Sequence, residues 1–433
     1  MTPEEPTPPA GDDRQVAALV DHLFRREAGR LVSILTRHFG VRNLHLAEDV
    51  IQDALMRAMQ TWPFTGVPDN PSAWLLKTAR NRALDLVRRG SLWAGKQEAL
   101  VPLVEDCLQS ALTSPPPVFE DEIRDSQLRM MFVCCQPGLP VDAQVALVLK
   151  TLCGFGEREI AAAFLSTEAA IAKRLVRARA FLRESGITTD LPTAAELEPR
   201  VDAVLQALYL LYNEGYKASH GDRLLREELC DEAIRLAGLL AAHPLGNRPE
   251  THALLSLMQF NSARMPARVD DDGSLLLLAQ QDRSRWNRER IRLGLEHLAA
   301  SGSGDTITRY HLEAGLAACH CLAPDYASTD WARILALYDH LLELDRSPVV
   351  ALNRAVAVTR VHGPREGLRA LQAIEGRSAL ERYHLFHAIA GEFWLEAGNA
   401  EQAQACLRRA LELAALPAER DLLRRKLAQC GPS

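Results

Sequence analysis

An all-α fold is what this sequence predicts, as two small helical units followed by a longer helical array. Three observations carry it. Apolar residues recur at three- and four-residue spacing through most of the chain. Ala and Leu are abundant, and alternating, strand-like stretches are almost absent. The 433 residues, 47% hydrophobic and 24% charged, suffice for several packed domains. The net charge is only −6, so any nucleic-acid contact must come from local basic stripes.

The elements follow in order. Met1–Asp13 is rich in Pro, Glu and Thr, without a basic start or apolar segment, so residues 1–15 read as a disordered lead-in rather than a signal peptide. Residues 16–92 form a first helical unit, broken by a loop from Pro63 to Pro71. Residues 93–119 form a linker marked by Ser114-Pro115-Pro116-Pro117. Residues 120–186 form a second unit, and 193–430 the long array. No run of about 18 apolar residues occurs, so no membrane span is expected. The nine cysteines lack framework spacing and read as reduced core residues of a cytoplasmic protein. Cys134-Cys135 and Cys319-His320-Cys321 have no second ligand pair at zinc spacing, so packing is expected there and no metal.

In the first unit, Ala47, Val50, Ile51, Ala54 and Leu55 make an apolar stripe, with Glu48, Asp49, Gln52 and Asp53 on the other side. After the loop, Ser72 is the expected cap of a helix that carries Lys77, Arg80, Arg82, Arg88 and Arg89, with Lys96 beyond, against Asp85 alone. That excess is a footprint for phosphate. Trp74 beside it can be a core residue or can support an unstacked base.

The second unit predicts a helix at 142–152, a turn with Gly154 and Gly156, a short helix at 157–164, a turn at Ser166-Thr167, and a longer helix at 168–184. Short helix, tight turn and long helix describe a DNA-reading helix-turn-helix. Ile171, Leu175, Ala178 and Leu182 face inward, while Lys173, Arg174 and Arg177 cluster outward, with Arg179 and Arg183 following. Arg pairs with guanine, and Lys with phosphate.

The segments AEDVIQDALMRAM and NPSAWLLKTARNRALDLVRR together resemble region 2 of sigma-70-family factors of the extracytoplasmic-function group. GEREIAAAFLSTEAAIAKRLVRARAFLR resembles region 4, except that Ala169-Ala170 stands where the family often has Gly-Thr. The resemblance implies a sigma factor. Glu48, Asp49, Gln52 and Asp53 would dock on the largest subunit of core RNA polymerase. Phe64, Asp69, Asn70, Trp74, Lys77, Arg80, Asn81, Arg88 and Arg89 would read the −10 element. Lys173, Arg174, Arg177 and Arg179 would read the −35 element.

ALYLLYNEGYKASHGD and DDDGSLLLLAQQDRSRWNRERI resemble the helical extension of one subgroup, in which a tetratricopeptide-like (TPR-like) segment follows region 4. Gly391, Trp394, Gly398, Ala403 and Ala410 fall at the spacing of two antiparallel helices, and Leu344-Asp345, Pro348 and Gly363 mark turns of a looser copy, so the array is TPR-like from about 331. The acidic turn Asp270-Asp271-Asp272-Gly273 lacks the calcium-loop spacing and reads as a capped loop. The stretch from Asp282 to Arg288 is either a partner surface or a salt-bridged helix face. Tyr209, Tyr212, Asn213, Glu214, Tyr216 and Lys217 read as helix packing with satisfied polar groups.

No phosphate loop, hydrolase elbow, metalloprotease motif or dinucleotide fingerprint occurs, so no enzyme and no cofactor is expected. His384 and His387 share a helical spacing, and no carboxylate or cysteine completes an obvious site beside them, so packing or solvent exposure is expected. The expected partners are core polymerase and promoter DNA, and the extension is expected to control activity in cis with a protein regulator. The competing reading is an ordinary helix-turn-helix regulator with a TPR-type ligand- or protein-sensing domain.

Overall fold

The computed structural model describes residues 28–36, 39–89, 125–187, 194–219, 225–270 and 274–430. The lead-in, the linker 93–119 and Asp271–Gly273 of the acidic turn lie outside them. The fold is all-α. The extended structure among the described residues is one antiparallel bridge, Val269 to Leu275. By contacts the chain forms two compact units, 1–214 with 231–245, and 215–230 with 246–433.

In the first unit, helix α1 (Leu44–Thr65) buries Ala47, Val50, Ile51, Ala54, Leu55, Ala58 and Trp62, the stripe read from the sequence continued for two more turns. The loop was expected to open at Pro63, yet the helix runs through Pro63 to Thr65. In the last turn a missing N–H removes one bond, and the Thr61 and Thr65 hydroxyls donate to the carbonyls of Arg57 (2.7 Å) and Thr61 (3.0 Å). Gly66, at φ +79°, ends the helix by donating to Trp62 O. Helix α2 (Pro71–Arg89) begins two residues earlier than a Ser72 cap would have it. The Asn70 Oδ1 accepts from the Ala73 N–H at 3.0 Å, and Pro71 occupies the first helical position, where no N–H is needed.

Helices α3 (Ser126–Cys134), α4 (Val141–Leu152), α5 (Glu157–Ala163) and α6 (Glu168–Glu184) build the second set. Asp125 caps α3, and Thr167 caps α6 through the Ala170 N–H at 3.3 Å. Nine of the twelve residues of α4 are buried, making it the central post. Helix α6 buries Ile171, Leu175, Ala178 and Leu182, the four inward residues of the sequence reading. Short α7 (Ala194–Leu197), and most of α8 (Val201–Tyr216) and α9 (Glu227–Ala242), cluster with this unit. Arg200 donates to Phe132 O at 3.0 Å, and Arg235 pairs with Asp125 at 2.7 Å.

The second unit is a succession of helices: α10 (Pro249–Ala263), α11 (Arg288–Ala300), α12 (Arg309–Leu322), α13 (Trp331–Leu344), α14 (Pro348–His362), α15 (Pro364–Gln372), α16 (His384–Glu396), α17 (Ala400–Leu413) and α18 (Pro417–Gln429). Its core passes from neighbour to neighbour. Leu312, Leu316, Ile334, Leu341, Val350 and Ala357 join α12 to α14. Leu352, Ala355, Leu371, Ala390 and Phe393 join α14 to α16. Ala388, Leu407, Ala410 and Leu423 join α16 to α18. No pair of helices buries its apolar surface alone, so stacking is what stabilises the array. Gly391 lets α16 approach α17, since a Cβ there would lie 2.8 Å from Leu407 Cγ.

Candidate polymerase and DNA interface

On α1, Asp49 and Gln52 are exposed. Asp53 is half-buried and pairs with Arg82 of α2 at 2.6 Å. Glu48 points elsewhere. Its carboxylate accepts two hydrogen bonds from Arg179 Nη2, at 3.0 and 2.9 Å, and one from the Thr151 hydroxyl at 2.6 Å. Its side chain is only 12% exposed. One of the four expected docking residues and one of the four expected −35 residues thus hold each other.

Along α2, Lys77 and Asn81 are exposed and Arg80 is half-buried. Arg88 and Arg89 fall on the last turn of the helix, and their side chains are outside the described residues. Phe64 is 80% exposed, an unusual position for a large aromatic, and Asp69 and Asn70 are exposed in the connecting loop. Asn70 spends its carboxamide oxygen on the helix cap. Trp74 lies edge-on against the buried Trp62, with centroids 5.3 Å apart. This half-buried ring is braced from below by the core.

On α6, Lys173 and Arg177 are exposed. Arg174 is more constrained, 3.6 Å from Asp142 and with its guanidinium 5.3 Å from the centre of the Phe164 ring. Arg179 faces Glu48. The turn before α6 holds Leu165 at φ +48° and 76% exposed. The thiols of Cys134, Cys135 and Cys153 are fully buried, and burial pushes Cys135 up to about 12, so all three are neutral core groups.

In the second unit, one sequence reading changes, that of His384. In the stretch from Asp282 to Arg288, the side chains of Asp282, Arg285, Asn287 and Arg288 are exposed. Trp286 is buried, flanked by the guanidinium groups of Arg283 (4.5 Å) and Arg264 (5.7 Å). Arg283 donates to the carbonyls of His320 and Ala323, both at 2.6 Å, closing the end of α12. Asp270 closes its turn through the Ser274 N–H at 2.7 Å. And His384 does have a carboxylate beside it. Glu419, brought by α18, lies 3.2 Å from His384 Nε2 and 3.0 Å from Lys217 Nζ. The local sequence could not show this, because three distant segments supply the groups. Burial opposes the charge on Glu419, but the bonds from His384 and Lys217 outweigh it and hold the carboxyl at about 2. His387 instead meets Glu381 O at 2.9 Å.

The second unit also holds an open pocket of about 510 Å³. Trp331, Tyr326 and Tyr338 line one side, and Arg360, Glu392 and Lys426 another. Lys426 pairs with Glu392, and burial, helped by Arg360, lowers its ammonium to about 8. His320 is held down to about 4 by burial and by Arg264 and Arg283, so it is neutral at pH 7. No group of three or more His, Cys, Asp or Glu side chains suited to a metal occurs among the described residues.

Residues 23–92 match the family described as sigma-70 region 2. Residues 200–302 match a family of unknown function, DUF6596. An uncharacterized protein of Rhizobium meliloti (strain 1021) is 38% identical over 398 residues, which cover 91% of this chain and 91% of that protein. The chain belongs to the family of that protein. Its N-terminal part is similar to sigma-70 region 2. The region 2 match spans α1, the loop and all of α2, so the exposed acids, the exposed Phe64 and the cationic face of α2 all fall within it. The DUF6596 match spans α8 to α11. No helix among the described residues is long and apolar enough to cross a membrane.

Proposed function

We propose that this chain is an extracytoplasmic-function sigma factor that binds core RNA polymerase, reads the −10 and −35 elements and opens promoter DNA. The carrying observation is the cationic α2 with exposed Lys77 and Asn81, next to the exposed Phe64, inside a sigma-70 region 2. A single strand needs cations for its phosphates and aromatic or polar groups for unstacked bases, and this surface offers both. Asp49 and Gln52 dock on polymerase, joined by Glu48 and Asp53. Lys173, Arg174 and Arg177 on α6 contact duplex DNA, and Arg179 joins them when it leaves Glu48. The extension from residue 193, TPR-like from about 331, acts as a regulatory domain, and the aromatic, charged pocket within it supplies room for a regulator's side chain or a small effector.

Run-off transcription with purified core polymerase tests the reading. Asp49→Ala lowers affinity for core about tenfold, as loss of one interfacial charge does, and leaves duplex binding intact. A chain that binds duplex DNA but never core polymerase belongs to the helix-turn-helix regulators instead.

A further inference from the structure

Around Trp286 the second unit gathers hydrogen-bond donors without acceptors. The ring is buried, 2% exposed, and its indole N–H has no partner. The guanidinium groups of Arg283 and Arg264 lie 4.5 and 5.7 Å from its centre. Arg283 spends Nη1 on the carbonyls of His320 and Ala323, but its Nη2 is buried and unpartnered. Arg264 Nε is buried and unpartnered too, as is His320 Nδ1. Cation–π contact with Trp286 accounts for where the two guanidinium carbons lie, not for the idle N–H groups.

The cluster contains no negative charge. Neither arginine forms an ion pair among the described residues. Asp325, whose charge reaches Arg283, is exposed and accepts from the Ser328 N–H at 2.7 Å. Cys321 does not act as a thiolate, because burial pushes its thiol up to about 11 despite both arginines. His320 is neutral, through burial and the same two cations. A guanidinium keeps its proton, so it cannot relieve burial by neutralising, as a lysine can. Two of them together, with no acid, call for a counter-charge. The cluster also borders the open pocket. His320 lines that pocket and meets Trp331 edge-on at 5.5 Å, and Tyr326 meets Trp331 at 5.6 Å. Elsewhere in the lining, Arg360 and Lys426 already have Glu396 and Glu392 as partners. The uncompensated cations are therefore at the His320 end.

We propose that Arg264, Arg283, His320 and the Trp286 indole N–H form a binding site for an oxyanion, the charged end of a small effector whose apolar or aromatic body lies in the pocket against Trp331 and Tyr326. The inference deepens the reading of this pocket as an effector site and rests on it. The oxyanion accepts from the idle N–H groups of both arginines and of Trp286, and from His320 in its Nδ1–H tautomer. Arg264, Arg283 and Trp286 all fall within the DUF6596 match, so anion binding gives that segment a role.

Calorimetry and thermal melts of the full chain at constant ionic strength test this, with phenyl phosphate, inorganic phosphate, benzoate and phenol as probes. Phenyl phosphate is expected to bind and to raise the melting temperature, more strongly than inorganic phosphate. Phenol, with the body but no charge, is expected to do neither. Benzoate binding more tightly than phenyl phosphate supports the site and assigns it to a carboxylate. Arg264→Met keeps an apolar stem over Trp286 and removes one cation. It is expected to weaken phenyl phosphate by about tenfold or more, as loss of a charge-assisted hydrogen bond does. The free variant should melt no lower than wild type, because a repelling charge has gone. Arg264→Lys is expected to keep part of the affinity. Folded wild-type chain that binds no oxyanion probe, or equal affinity in Arg264→Met, overturns the site. A lower melting temperature for free Arg264→Met overturns it as well, since the arginine is then a structural clamp on Trp286. Inorganic phosphate binding as tightly as phenyl phosphate overturns the placement of a body in the pocket. Binding that leaves run-off transcription unchanged overturns the effector role and not the site. A chain that binds the probe but never polymerase sinks the sigma-factor reading alone.

Discussion

Glu419 shows what a single side chain does in this protein. It is buried, with His384 and Lys217 as its partners from two other segments. A carboxyl held near 2 in the folded chain and near its ordinary value when unfolded contributes stability that is fully present above about pH 4.5. That stability is lost as pH falls towards 2. Glu419→Gln is therefore expected to destabilise the second unit by about 2–3 kcal/mol at pH 7 and by progressively less in acid. Thermal melts at pH 7 and pH 3 check both the size and the convergence. The cluster was invisible in the sequence, because adjacency there reveals only partners on the same helix. The same limit hid the Glu48–Arg179 pair, whose members are 131 residues apart. Trp74, by contrast, was legible: an aromatic opening a basic helix, now seen braced on Trp62.

At the level of elements, periodicity was a good guide wherever a helix has one wet face. The buried stripes of α1 and α6 contain every residue that the apolar spacing assigned to them. The ends were harder. Pro63 and Ser72 both carry strong boundary signals, yet the helices end at Thr65 and begin at Pro71 because Gly66 and Asn70 satisfy the orphan groups there. In the helix-turn-helix, Leu165 holds a left-handed backbone that costs a non-glycine residue about 1–2 kcal/mol. Its side chain is exposed and contributes little burial, so Leu165→Gly is expected to stabilise the unit by up to about 1 kcal/mol, read from a denaturant titration. In the array, Gly391→Ala forces α16 away from Leu407 and is expected to cost about 1–3 kcal/mol. The additional truncation Leu407→Ala, which makes room for the methyl, is expected to show coupling with it rather than simple addition.

For the whole molecule, net charge of −6 conceals a separation of roles. Cationic residues gather on α2 and α6, acids on α1, and the array mixes both signs. That distribution made the two candidate recognition helices legible from the chain alone, and apolar spacing did the same for the all-α fold. It gave no sign that α7, α8 and part of α9 cluster with the first unit, because buried contacts such as Arg200 to Phe132 O leave no pattern in composition. Salt gives a further check. If Lys77, Arg80 and the α6 cations meet phosphates, promoter affinity of the polymerase complex falls steeply with salt, and each cation removed lowers the slope of log K against log salt by about 1. Promoter recognition by this chain depends on one association. Size-exclusion chromatography of the purified chain with core polymerase at low salt tests it most directly: the two are predicted to elute together and to start transcription from a defined promoter, and independent elution of both, with the chain folded, would contradict it.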